Sequence, residues 1–272
     1  MSEVMIDVLI AFAVVVSIGL VMGALLALVS RFFGIEESEK LKKVRACLPG
    51  ANCGACGYKG CDDYAAALAE GTAKPNLCVP GGKDTASELG AALGIEVEAP
   101  ENRVAFVRCN GNCDATSKKA EYHGISTCRA ASMMYGGPGA CRFGCLGFGD
   151  CAAACPVDAI CIKDGIAHVD VNACIGCGAC ANTCPKSIIS MVPKANKAVV
   201  MCSNKDKGGD ARKTCKNACI GCKKCEKTCP NGAITVHNNL AEVDYEKCTG
   251  CGACVDGCPT GCLKSVIFKT RT

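Results

Sequence analysis

Three runs of cysteine share the spacing C-x2-C-x2-C-x3-C-P: Cys174, Cys177, Cys180 and Cys184 before Pro185; Cys219, Cys222, Cys225 and Cys229 before Pro230; Cys248, Cys251, Cys254 and Cys258 before Pro259. Three thiolates this close in sequence wrap one face of an iron–sulfur cubane, while the fourth, turned away at the proline, reaches a neighbouring cubane. Runs of this kind bind clusters in pairs and serve one-electron transfer. Zinc ribbons also use C-x2-C, but they do not normally chain three cysteines at this spacing and append C-P. Twenty-eight cysteines in 272 residues would suit a disulfide framework in a secreted chain. The expected lack of a cleavable export signal argues against that reading.

Overlaying the chain on itself at an offset of 74 residues matches nine cysteines: Cys128 with Cys202, Cys141 with Cys215, Cys145 with Cys219, Cys151 with Cys225, Cys155 with Cys229, and the run from Cys174 with the run from Cys248. The repeat predicts two tandem two-cluster modules, each a pseudo-symmetric βαββαβ ferredoxin fold. In the second module, Cys219, Cys222, Cys225 and Cys258 are assigned to one cluster, and Cys248, Cys251, Cys254 and Cys229 to the other. In the first, Cys174, Cys177, Cys180 and Cys155 complete one set. The remaining set has Cys145, Cys151 and Cys184 but is short of a ligand, because Phe148 stands at the position matching Cys222. Cys141 is the expected fourth ligand; otherwise the site holds a three-iron cluster. A rival use of Cys141 groups it with Cys109, Cys113 and Cys128 as a further four-thiolate set.

Upstream, Cys53-x2-Cys56-x4-Cys61-x16-Cys78 predicts a small one-cluster domain, with a zinc knuckle as the alternative. Gly50, Gly54, Gly57 and Gly60 let this loop fold tightly and offer N–H groups to sulfur. Asp62 and Asp63 open an expected helix through Tyr64 and Leu68 that ends at Gly71, and a second helical stretch from about Ser87 to Leu93 stops at Gly94. The expected cofactors are at least five [4Fe-4S] clusters, with a sixth cluster or one [3Fe-4S] as variants. Cys47, Cys161 and Cys262 fit none of them and leave room for thiol redox sensing.

The elements that must carry these sites begin with a membrane anchor. Val8 to Val29 is a 22-residue uncharged stretch, long enough to span a bilayer. Glu3 and Asp7 precede it, and Arg31, Lys40, Lys42, Lys43 and Arg45 follow, which puts the C-terminal bulk in the cytoplasm, at the cell (inner) membrane. Gly19, Gly23 and Ala27 recur on one helix face and suit packing against another membrane helix. The expected class is α+β: an N-terminal transmembrane helix, a small one-cluster 4Fe-4S domain and two tandem ferredoxin-like modules. The boundaries are 1–30, 31–99, a connecting segment 100–140, 141–200 and 201–272. Aromatics make up 4% of the chain and tryptophan is absent, so the cores are thin and need metal as a staple.

The formal net charge is +4. Lys186, Lys194, Lys197, Lys205, Lys207, Arg212, Lys213, Lys216, Lys223, Lys224 and Lys227 form a basic stretch that would steer an acidic partner or simply be solvated. Nucleic acid is a poor partner without stacking aromatics or a recognition motif. No phosphate loop of the G-x-x-x-x-G-K-[ST] type and no G-x-G-x-x-G fingerprint is present, so nucleotide is handled elsewhere. His123, His168 and His237 belong to no nucleophile pattern, and no catalytic residue is assigned.

The order of parts, one helix, then C-x2-C-x4-C-x16-C, then ferredoxin modules, resembles the B subunits of the Rnf complex, the ion-translocating ferredoxin:NAD oxidoreductase. The tracts Gly144-Cys145-Leu146-Gly147-Phe148-Gly149-Asp150-Cys151 and Cys219-Ile220-Gly221-Cys222 are similar to those of the longer, anaerobe-type members. The resemblance implies an iron–sulfur subunit that takes electrons from reduced soluble ferredoxin toward flavin and NAD-binding partners, with coupled sodium or proton export. Two alternatives use the same architecture: a complex that reduces a redox-sensing transcription factor, or the ferredoxin-like anchor of another membrane oxidoreductase such as a hydrogenase.

Overall fold

The computed structural model describes residues 3–32, 39–195 and 197–266. Its contacts divide the chain into two units, residues 1–42 and 43–272. In the first unit, helix α1 (Glu3–Phe32) is apolar all round: Met5–Val29 has a mean hydropathy of 2.8 and none of it is buried. Its 30 residues, at about 1.5 Å each, exceed the ~30 Å hydrocarbon core of a bilayer. A Cβ added at Gly19 or Gly23 on this helix would meet no described atom within 4 Å. The side chains of Glu3 and Arg31 lie outside the described residues.

Helices α2 (Glu39–Ala46), α3 (Cys61–Ala69) and α4 (Gly82–Leu93) accompany the upstream cysteine loop. Tyr64 fills their core at 1% exposure; its hydroxyl donates to the Lys74 carbonyl (2.7 Å) and accepts from the Leu77 N–H (3.3 Å). One buried side chain thus fixes the loop that delivers Cys78. Helix α4 begins five residues before the expected Ser87 and ends, as the sequence indicates, on left-handed Gly94.

Beyond this lie two copies of one topology. The first runs β1 (Arg103–Val107), α5 (Cys128–Met133), α6 (Asp150–Ala153), β2 (Ile160–Lys163), β3 (Ile166–Val169), α7 (Ala179–Thr183) and β4 (Ile189–Pro193). The second runs β5 (Lys197–Val200), α8 (Gly208–Thr214), α9 (Lys224–Thr228), β6 (Ile234–His237), β7 (Leu240–Val243), α10 (Ala253–Asp256) and β8 (Leu263–Val266). Strands pair antiparallel as β1 with β4, β2 with β3, β5 with β8 and β6 with β7. Without α5 and α8, each copy is βαββαβ.

This pairing moves the module boundaries. Arg103–Val107 pairs with Ile189–Pro193 and belongs to the first module, not to a connecting segment, and Lys197–Val200 pairs with Leu263–Val266 and belongs to the second. The first module therefore carries the 108–140 stretch between its first strand and the cysteines that begin at Cys141, with an insertion that the second module lacks. The cores are small: Val107, Ile160, Ile166, Ile188 and Ile189 cluster with Cys151 and Cys180 in the first module, and Val200, Ile234, Leu240 and Leu263 with Cys219, Cys225 and Cys254 in the second. Thiols are part of the packing in both.

Candidate metal centres

All 28 cysteines are free thiols. In the upstream domain, Asn52 Oδ1 accepts the Cys61 N–H at 2.8 Å, and a Cβ added at Gly60 would lie 2.9 Å from that oxygen. Cys78 lies within electrostatic reach of Cys61, Cys53 and Cys56; burial, then the three sulfurs, push its thiol up from the ordinary range. The four expected residues converge.

In the second module, Cys219, Cys222, Cys225 and Cys258 line one cavity. Cys229, Cys248 and Cys251 surround Cys254, whose thiol is pushed up mainly by burial. A Cβ at left-handed Gly221 would come within 3.0 Å of the β6–β7 turn at Asn239, so the cysteine loop rests directly on the hairpin. The first module repeats this at Gly147, where a Cβ would meet the Gly165 carbonyl at 2.5 Å. Cys180 lies beside Cys174, Cys177 and Cys155, and burial first, then those sulfurs, push it up to about 11. The Ala159 N–H donates to Cys155 Sγ and the Ala233 N–H to Cys229 Sγ, each at 3.3 Å, an equivalent bond in both modules.

The defective set departs from expectation. Cys145, Cys151 and Cys184 line a cavity whose fourth thiol is Cys128, not Cys141. Burial, followed by the sulfurs of Cys145, Cys128 and Cys184, pushes Cys151 up to about 12. Cys128 opens α5 in the insertion, where Thr127 caps the helix by accepting the Ala130 N–H (3.2 Å) and Asp150 accepts the N–H groups of Cys128 (2.8 Å) and Arg129 (3.0 Å). Phe148, in the place of a cysteine, stacks edge-on against Tyr122 of the same insertion, with ring centroids 5.5 Å apart.

Cys141 instead lines a cavity with Cys109, Cys202 and Cys215. The rival set Cys109, Cys113, Cys128 and Cys141 is not brought together: Cys113 is exposed, and a Cβ at Gly165 would sit 3.0 Å from its sulfur. The sequence signal for the observed grouping is positional. Cys109 and Cys202 each lie two residues beyond a module's first strand, and Cys141 and Cys215 each lie four residues before a run.

Among the described residues, no three Cys, His, Asp or Glu side chains close tightly enough to hold a single ion. Tetrahedral zinc with ~2.3 Å bonds would need sulfurs about 3.8 Å apart. Three of the thiol sets line cavities, which suits a multi-atom cluster. Burial pushes the thiols of Cys78, Cys151, Cys180, Cys225 and Cys254 up, so binding of iron by these residues, which requires thiolates, is coupled to proton release.

Two residues of the basic stretch are struts. Lys186 Nζ donates to the carbonyls of Gly136 (2.5 Å) and Arg142 (2.7 Å), and Lys197 Nζ donates to the Cys248 carbonyl. Lys205, Lys207, Arg212, Lys213, Lys216, Lys223, Lys224 and Lys227 are exposed, as is Cys222 among them.

Family models match three stretches: a putative Fe-S cluster domain at residues 48–80 and 4Fe-4S dicluster domains at 173–234 and 218–262. The chain is 46% identical to the B subunit of the proton-translocating ferredoxin:NAD(+) oxidoreductase complex of Clostridium ljungdahlii, over 87% of this chain and 84% of the relative. It belongs to the Rnf B-subunit family. The Na(+)-translocating counterpart of Acetobacterium woodii is 44% identical over 84% of this chain and 69% of its own length. The B subunit of the ion-translocating oxidoreductase complex of Methanosarcina acetivorans is 42% identical over 91% and 93%. As an Rnf B-type chain, this protein is an iron–sulfur electron-transfer subunit of a membrane oxidoreductase complex.

Proposed function

We propose that this chain accepts electrons from a reduced soluble ferredoxin and conveys them toward flavin and NAD-binding subunits of an Rnf complex, where the downhill reaction drives sodium or proton export. The observation that carries this reading is the adjacency of the thiol sets. Cys177 of the first ferredoxin module lies within electrostatic reach of Cys53 of the upstream domain, and Cys151 within reach of Cys180 across the cluster pair of that module. Each bound [4Fe-4S] cluster supplies a one-electron couple at low potential. Cys53, Cys56, Cys61 and Cys78 would hold one; Cys155, Cys174, Cys177 and Cys180 a second; Cys128, Cys145, Cys151 and Cys184 a third. Cys219, Cys222, Cys225 and Cys258 would hold a fourth, and Cys229, Cys248, Cys251 and Cys254 a fifth. A full complement of thiols at the third set favours four iron atoms there over three.

Exposed lysines around Cys222 suit an acidic donor, whose approach they accelerate. The upstream set follows α1 in sequence and is the natural exit toward the membrane subunits. The cations at Lys40, Lys42, Lys43 and Arg45 support a single-pass anchor with the clusters in the cytoplasm.

Anaerobic affinity purification from solubilised membranes tests the reading. Flavin subunits should co-purify and the preparation should reduce NAD with reduced ferredoxin. An iron-loaded chain carrying different partners would reassign it to a regulator-reducing complex or another membrane oxidoreductase. Within the complex, Cys56→Ser should leave the ferredoxin modules reducible while stopping turnover.

A further inference from the structure

We infer that Cys109, Cys141, Cys202 and Cys215 hold a sixth [4Fe-4S] cluster at the joint between the two ferredoxin modules, each module supplying two of the four thiolates. This rests on the reading of the other thiol sets as cluster sites.

The joint is built by like parts of the two modules. The Arg108 N–H extends the first module's sheet by donating to the Ile188 carbonyl, and the Met201 N–H does the same to the Cys262 carbonyl, both at 2.7 Å. Cys109 and Cys202 are the next residues and occupy equivalent places. The Cys145 N–H donates to Cys109 Sγ and the Cys219 N–H to Cys202 Sγ, each at 3.3 Å. Cys141 and Cys215 each precede those run-opening cysteines by four residues. The structural counterpart of Cys202 is thus Cys109, whereas the 74-residue repeat matches it with Cys128.

The four thiols line one cavity, which Cys145 of the third set also borders, and the seam around it is closed by bonds between modules. Ser203 Oγ donates to the Arg108 carbonyl (2.9 Å), Asn217 Nδ2 to the Asn110 carbonyl (2.8 Å) and Thr116 Oγ1 to the Thr214 carbonyl (2.8 Å). Asn204, 1% exposed, points Nδ2 at Cys141 Sγ from 3.6 Å. A Cβ at Gly111 would come 3.3 Å from Cys215 Sγ and 3.6 Å from Cys109 Sγ, so the backbone there is cut close to the sulfurs.

The neighbours give the site its use. Cys109 bonds the backbone of Cys145, a residue of the first module's third set, and Cys202 bonds that of Cys219, a residue of the second module's fourth set. A cluster held by these four thiols would lie between the third and fourth sets and would supply a one-electron couple joining the two modules.

The test is iron and labile sulfide per chain in full-length protein purified anaerobically, comparing wild type with the C109A/C202A double variant. Loss of about four iron atoms and four sulfides, one cubane, is expected. Unchanged iron overturns the inference, as does loss of zinc at constant iron. An iron-free wild type would instead sink the reading of the whole chain as an electron conductor. A second measurement needs no variant: brief alkylation of the native protein should modify exposed Cys113 and Cys161 but spare half-exposed Cys141. Alkylation of Cys141 while the ligands of the other sets stay protected would refute the site even where the double variant fails to fold.

Discussion

The two ferredoxin modules share a topology, a hairpin pressed on a cysteine loop and the same N–H bonds to sulfur, yet they obtain one thiol differently. In the second, Cys222 comes from the run itself and sits at the surface, flanked by Gly221 and Lys223. In the first, Phe148 occupies that place and Cys128 comes from an inserted helix held by Asp150. The position matching Asp150 in the second module is Lys224, which has no insertion to hold. The donor set is therefore conserved as geometry and not as sequence. A run lacking a cysteine can recruit one from elsewhere and, by doing so, cover with protein a face that its sibling leaves open.

The sharpest way to break this comparison is to remove the two differently supplied thiols. Cys128→Ala and Cys222→Ala should each cost the affected site its fourth ligand, giving loss of about one iron atom or of the whole cluster, and a fall in inter-cluster electron transfer of at least about tenfold. Iron analysis and electron paramagnetic resonance of the anaerobic protein check this; wild-type iron in Cys128→Ala would return the ligand role to Cys141. Next in size, Asp150→Ala removes two charge-assisted bonds to the start of α5 and should destabilise the first module by roughly 2–4 kcal/mol. Lys224→Ala should stay within about 0.5 kcal/mol. Denaturant unfolding of the iron-loaded protein distinguishes them, and equal effects would mean that Asp150 is not the clamp.

Smaller effects separate the hairpin contacts. Gly147→Ala places a methyl 2.5 Å from the Gly165 carbonyl and Gly221→Ala one 3.0 Å from Asn239, both at positive φ. Losses of about 1–3 kcal/mol are expected, larger at Gly147. The smallest effect is electronic. Cys262, 2% exposed, lies 3.6 Å from Cys258 Sγ, and its hydrogen bonds hold Cys258 and Cys219 below the ordinary thiol range, while the matching position in the first module is Ile188. A donor to a ligand sulfur stabilises the reduced, more negative state, so Cys262→Ala should lower that cluster's potential by several tens of millivolts, the one-electron equivalent of about 1 kcal/mol. Redox titration of the variant should move one component and leave the first module's unmoved.

Much of this was legible in the spacing. The runs, the upstream loop and its helix through Tyr64, the apolar α1 and the βαββαβ repeat all follow from local pattern. What was not legible is long-range. Arg103–Val107 is five residues long and reveals its module only through Ile189–Pro193. The repeat itself misled at Cys128, because an insertion shifts the first module's register upstream of Cys141 and sets Cys128 against Cys202 by number while Cys109 holds that place in space. Lys186 and Lys197 looked like surface charge, but their ammonium groups are captured by carbonyls 50 and 44 residues away for the first and 51 for the second.

The seam between the modules also dictates an order of manufacture. Cys109 and Cys141 leave the ribosome well before Cys202 and Cys215, so the joint cannot close until the second module's Cys215 has been made, whereas the upstream loop from Cys53 to Cys78 is complete early. A chain truncated between Cys141 and Cys202 would carry two of the joint's thiols with nothing to meet. Completion of the joint is thus a built-in proof that both halves are present.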